Sequence, residues 1–85
     1  MKIRLLFFAS LRERLAIPGE EVDVPPTVTT VGALREHLRD RGGAWADVFA
    51  PNRAVRAAVN QAMVQPSAPI KAGDEVAFFP PVTGG

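Results

Sequence analysis

Two short, strongly apolar segments at opposite ends of the chain constrain its fold most. "KIRLLFF" covers residues 2–8 and "EVAFF" covers 75–79, and neither contains Gly or Pro. In a strand, successive side chains point to opposite faces. Ile3, Leu5 and Phe7 then share one face, and Arg4, Leu6 and Phe8 the other; Val76 and Phe78 oppose Ala77 and Phe79 in the same way. Strands apolar on both faces belong at the centre of a sheet. The first and last segments are therefore expected to be central neighbours, which makes them parallel. Between them lies one strong helical pattern, "TTVGALREHLRDRGG" (29–43), with Val31, Leu34, Leu38 and Arg41 at helical spacing, Thr29 or Thr30 as cap and Gly42 as stop. Gly32 is a weak helix former, tolerated if it allows close packing on a sheet. A long helix laid across a small mixed sheet is an α+β domain, and 85 residues suffice for one such domain and no more.

The remaining segments fit that frame. "SLRERLAIPG" opens on Ser10 with Glu13 three residues on, a capping-box pattern; Leu11 and Leu15 share a face, and Pro18-Gly19 closes the short helix. "EEVDVPP" alternates, with Val22 and Val24 inward and Glu21 and Asp23 outward, so it pairs with the first strand around that helix. "AWADVF" is a further short helix adding Trp45, Val48 and Phe49 to the core. "RAVRAAVNQAMVQ" reads as two short strands about a turn at Asn60-Gln61, with Val55, Ala57 and Val59 on one face, although its alanines are also compatible with helix. The expected division is a domain over 1–79 and an extended, flexible C-terminal tail over 80–85.

Composition excludes several functions. There is no cysteine, hence no disulfide and no Cys-based metal site. Ten basic residues against nine acidic give a formal charge of +1. The arginines at 12, 14, 35, 39 and 41 are interspersed with acids, a solvated mixed-charge surface rather than a nucleic-acid footprint. The apolar run at the N-terminus is interrupted by Arg4 and is too short for a membrane span or a signal segment, so a soluble, cytoplasmic protein is expected. His37, the one histidine, sits among charges and faces solvent. No nucleophile–base pair, metal cluster or phosphate loop stands out, and "GDE" at 73–75 reads as a turn, so the chain is expected to be no catalyst and to bind no metal or cofactor.

Four stretches carry a family resemblance: "LLFFASLRE" (5–13), "VGALREHL" (31–38), "AAVNQ" (57–61) and above all "GDEVAFFPPVTGG" (73–85). The chain resembles, over its whole length, the small sulfur-carrying subunits of molybdopterin synthase, a ubiquitin-like β-grasp family. The resemblance implies that the Gly85 carboxylate is adenylated by an ATP-dependent, E1-like adenylyltransferase and converted to a thiocarboxylate. The sulfur would then pass to a cyclic pyranopterin precursor within a large catalytic subunit. Two carriers per product imply a heterotetramer. ATP is used by the activating enzyme and not held by the carrier.

The tail suits that chemistry. Gly84 and Gly85 lack Cβ and can thread a narrow channel. Pro80 and Pro81 fix φ and direct the tail outward, and the β-branched Val82 and Thr83 favour extension. Six residues reach at most about 20 Å, enough to enter a neighbouring active site. A partner surface is expected beside it: Phe8, Met63 and Phe79 on the outer sheet face form an apolar patch, unless one Phe packs under a loop or a bulge reverses the parity. Arg12 either pairs with an acidic partner residue or is a solvated helix charge. Three other readings share the tail: a thiazole-pathway sulfur carrier, a ubiquitin-like modifier joined through Gly85 to lysines, and a plain interaction domain.

Overall fold

The computed structural model describes residues 1–81. The chain runs β1 (Lys2–Phe7), α1 (Ala9–Leu15), β2 (Gly19–Asp23), α2 (Val31–Arg39), α3 (Gly43–Val48), β3 (Arg56–Val59), β4 (Ala62–Val64) and β5 (Glu75–Phe79). One five-stranded sheet has the order β2-β1-β5-β3-β4. β1 and β5 are parallel neighbours in its interior, with Leu5 opposite Val76 and Phe7 opposite Phe78, while every other pairing is antiparallel. This is the ubiquitin-like β-grasp.

The period-2 pattern of the central strands makes one face of the sheet the core. Ile3, Leu5 and Phe7 of β1 and Val76 and Phe78 of β5 are almost completely buried, as are Leu34 and Leu38 of α2 and Phe49 after α3. The aromatic rings interlock: Phe49 meets Phe78 edge-on at 5.1 Å, and Phe7 meets Trp45 edge-on at 5.5 Å. Leu11 and Leu15 close the core beneath α1. The hairpin of β3 and β4 turns at Asn60 and Gln61, both at positive φ (50° and 71°). That pair of left-handed residues matches the twist of two-residue hairpins.

Local expectations failed in several places. Ser10 does not cap α1. The helix begins at Ala9, Phe8 occupies the cap position, and no side chain caps it. Phe8 is held by its own N–H donating to the Phe78 carbonyl, and its carbonyl accepts from Arg12 N–H. The first turn thus starts ahead of Ser10, with Ala9 at φ 53°. At its other end α1 stops at Leu15, and Ala16 takes the left-handed C-cap (φ 64°), before Pro18 is reached. Gly32 packs not on the sheet but beneath Pro66. Its N–H donates to the Pro66 carbonyl at 2.8 Å, and an added Cβ would sit 3.2 Å from that oxygen. Thr30, one of the two expected caps, does cap α2, its hydroxyl accepting from Ala33 N–H, but the helix ends at Arg39, short of the expected stop at Gly42.

A further departure concerns the arginines, which are not uniformly solvated. Arg35 donates to the carbonyls of Phe49, Ala50 and Arg53, tying α2 to the segment after α3. Burial, with the nearby Arg39 charge second, pushes its pKa below the ordinary guanidinium value. Arg41 lies over the Trp45 ring at 4.4 Å and pairs with Glu20. His37 is half-buried rather than fully solvent-facing.

Candidate functional site: the outer sheet face and the root of the tail

The side chains that point away from the core line up by register. Leu6 lies opposite both Gly19 and Ala77, Ala77 opposite Ala58, and Ala58 opposite Met63. The result is one apolar row, Gly19–Leu6–Ala77–Ala58–Met63, across all five strands. A second row follows toward the tail: Phe79 lies opposite Arg56, with Phe8 just past the end of β1. On the other side the apolar row is bounded by Glu21, Arg4 and Glu75.

Phe8 is 47% exposed and Met63 57%, the large apolar side chains most open to solvent among the described residues. Phe79 is half-buried. The three share the outer face as expected, but they are not a contiguous triad. Two strand spacings, roughly 10 Å, separate the β5 and β4 positions. Ala77 and Ala58 fill the interval; both are buried, yet neither belongs to the core cluster. Small residues at the centre with Leu6, Phe8, Phe79 and Met63 around them make a flat apolar surface. Ala58 escaped sequence reasoning because an alanine carries no apolar signal of its own; its place follows from its register with Ala77.

A polar brace positions this face. Asp74 is buried, and its carboxylate accepts from Lys71 N–H (2.9 Å) and from the Asn60 side-chain amide (3.1 Å). The Asn60 side-chain carbonyl in turn accepts from Glu75 N–H at 3.0 Å, and Asn60 N–H donates to the Glu75 carbonyl. The turn that carries Met63 is thereby locked to the start of β5. "GDE" is a turn, as expected, and its aspartate is what receives the "AAVNQ" asparagine.

Pro80 and Pro81 follow β5 directly, both half-buried, Pro80 in a cleft with Ser10, Arg14, Arg53 and Val55 and Pro81 in one with Val31, Arg35, Arg56 and Met63. Arg12 is exposed on α1 and has no ion-pair partner among the described residues. Val82, Thr83, Gly84 and Gly85 lie outside the described residues. Among the described residues there is no cluster of His, Cys, Asp or Glu able to hold a metal, and no helix is long and apolar enough to cross a membrane.

A mixed five-stranded sheet with parallel central strands, helices on one face and an apolar outer face defines a ubiquitin-like β-grasp domain. The chain belongs to the ThiS family, whose model matches residues 5–85. It is 46% identical, over 98% of its length and 99% of the relative's, to the molybdopterin synthase sulfur carrier subunit of Escherichia coli K12. Among solved structures it resembles small archaeal modifier protein 1 of H. volcanii, with TM-score 0.76 and 25% identity over 95% of this chain and 98% of that one. It also shares its fold, at TM-score 0.67 and 21% identity over the whole of both chains, with a chain of a Helicobacter pylori complex of subunits 1 and 2 of molybdopterin-converting factor.

Proposed function

We propose that the chain is the sulfur carrier subunit of molybdopterin synthase. The observation that carries this reading is the 46% identity, end to end, with a sulfur carrier subunit of that enzyme. The reading goes on as follows. The Gly85 carboxylate attacks the α-phosphate of ATP in an E1-like adenylyltransferase and releases pyrophosphate. The resulting mixed anhydride has AMP as a good leaving group, so a sulfur nucleophile can displace it and leave a thiocarboxylate. The outer face, with Phe8, Met63 and Phe79, then seats on the large subunit, while the segment from Pro80 to Gly85 delivers sulfur to cyclic pyranopterin monophosphate in its active site. The chain supplies no catalytic side chain; its reactive group is its own end. Two carriers and two large subunits make the heterotetramer, working in the cytoplasm. The complex of subunits 1 and 2 from H. pylori supports a large-subunit partner, since the two folds agree.

Intact mass of the chain taken from cells, before and after treatment with a thiol-alkylating reagent, tests this. A thiocarboxylate replaces an oxygen by a sulfur and then alkylates. With no cysteine in the chain, a label can mark only that group, and fragmentation places it on Gly85. A plain carboxylate throughout, even with activating enzyme, ATP and a sulfur donor supplied, overturns the reading. The likeness to an archaeal modifier protein favours a second one, in which Gly85 is joined to target lysines. Isopeptide-linked Gly85 in a digest of cell protein distinguishes it.

A further inference from the structure

Four arginines gather where the chain leaves the sheet. Arg14 and Arg53 line a cleft of about 290 Å³ with Pro80, and Arg35 and Arg56 line one of about 410 Å³ with Pro81. A single carboxylate, Asp47, is paired among them, and it takes both Arg14 and Arg53. Among the described residues Arg35 engages neutral carbonyls and no carboxylate. Arg56 is exposed and has no ion-pair partner among the described residues. Among the described residues, four guanidiniums against one carboxylate leave a local surplus of three positive charges. The whole chain has a formal charge of only +1, so the remainder of the molecule is net negative.

We propose that this arginine collar docks on an acidic rim around the channel through which the large synthase subunit receives the tail. The proposal rests on the sulfur-carrier reading. Arg56 lies in register with Phe79 and so joins the apolar face to the root of the tail, while Arg14, Arg35 and Arg53 line the helix-side clefts around Pro80 and Pro81 at that same end. A partner that covers the face brings its edge onto the collar. A flat apolar seat holds a partner but orients it poorly. Charges at one end of it set the direction of approach and the rate of encounter. Guanidinium groups suit this because they bind carboxylates bidentately and stay charged when partly desolvated.

The test is the association rate of the full chain with its large synthase subunit, measured by stopped flow from about 20 mM to about 300 mM NaCl, a range over which the Debye length falls from roughly 20 Å to about 6 Å. Three proteins are compared: the wild type; a collar variant, Arg53→Gln with Arg56→Glu; and a control with the same change of charge, Lys71→Gln with Arg39→Glu, at positions outside both clefts. Melting curves establish that all three are folded. The wild type is expected to associate more slowly as salt rises. At low salt the collar variant should be slower by about tenfold or more, with a flattened salt dependence, and the control should stay within about twofold of wild type. Equal slowing of both variants, or a wild-type rate indifferent to salt, overturns the collar and leaves the carrier reading standing. Wild-type chain that does not associate with the large subunit at all overturns the carrier reading and the collar with it.

Discussion

Phe8→Ala separates the outer face from the core. Phe8 takes an extended conformation (φ −127°, ψ 156°) that alanine adopts freely, and its structural contacts are made by backbone atoms: its N–H to Phe78 and its carbonyl from Arg12. The substitution therefore leaves the entry into α1 intact. A phenylalanine side chain presents roughly 200 Å², and 47% of the residue is still exposed in the free domain. About 90 Å² remains to be buried on docking; at ~25 cal/mol per Å² that is about 2 kcal/mol, close to thirtyfold in Kd. The already buried half is lost equally from the free and bound states, so it lowers Tm but not affinity. Calorimetric titration against the large subunit reads the first quantity and a melting curve reads the second. The expected result is a Kd weakened by about ten- to fiftyfold with a Tm lowered by only a few degrees. A Kd within about threefold of wild type would refute the reasoning that Phe8 buries its exposed half against the large subunit.

Three predictions concern the scaffold that presents this face. Asp74→Ala strands the Lys71 N–H and the Asn60 amide and should destabilise the domain by about 1–3 kcal/mol in urea unfolding. Gln61→Gly relieves a left-handed residue (φ 71°) in the β3–β4 turn and should raise stability by about 0.5–1 kcal/mol, seen as a higher urea midpoint with unchanged slope. Gly19→Val should separate β2 from β1, since even a Cβ at Gly19 would lie 2.3 Å from the Leu5 carbonyl oxygen; a loss of about 2 kcal/mol or more and rapid amide exchange across the β1–β2 pairing are expected.

Much of the fold was legible because its signals are local or come from extremes of pattern. The two-faced apolarity of "KIRLLFF" and "EVAFF" placed both strands in the sheet interior and made them parallel, as they are. Val31, Leu34 and Leu38 marked the buried face of α2. The turn at Asn60-Gln61 was readable from its flanking strands. The candidate site was half legible. Phe8 and Met63 announced themselves as large apolar residues with odd parity, and both are exposed. Ala58 between them did not, and the roles of Arg35, Arg53 and Arg56 were hidden, because an arginine looks the same in sequence whether it holds carbonyls or meets solvent. The Ser10–Glu13 capping box was a local motif overruled by a distant bond, the one from Phe8 N–H to the Phe78 carbonyl.

The amino-acid order by itself determined the central strands and the main helix and which of their faces turn inward, since these follow from spacing within a few residues, whereas the alanine-rich 53–65 segment stayed open between strand and helix. Register across strands is a different matter. Leu6, Ala58, Met63 and Ala77 form one row only because β5 lies between β1 and β3, and residues so far apart in the chain share no local pattern. The same holds for the arginines around Pro80 and Pro81, which come from α1, α2, the loop after α3 and the start of β3 and are brought near the prolines by the packing of those elements on the sheet. A short-range pattern can say that a side chain points outward; only the closed sheet, with its non-local hydrogen bonds, decides what stands beside it.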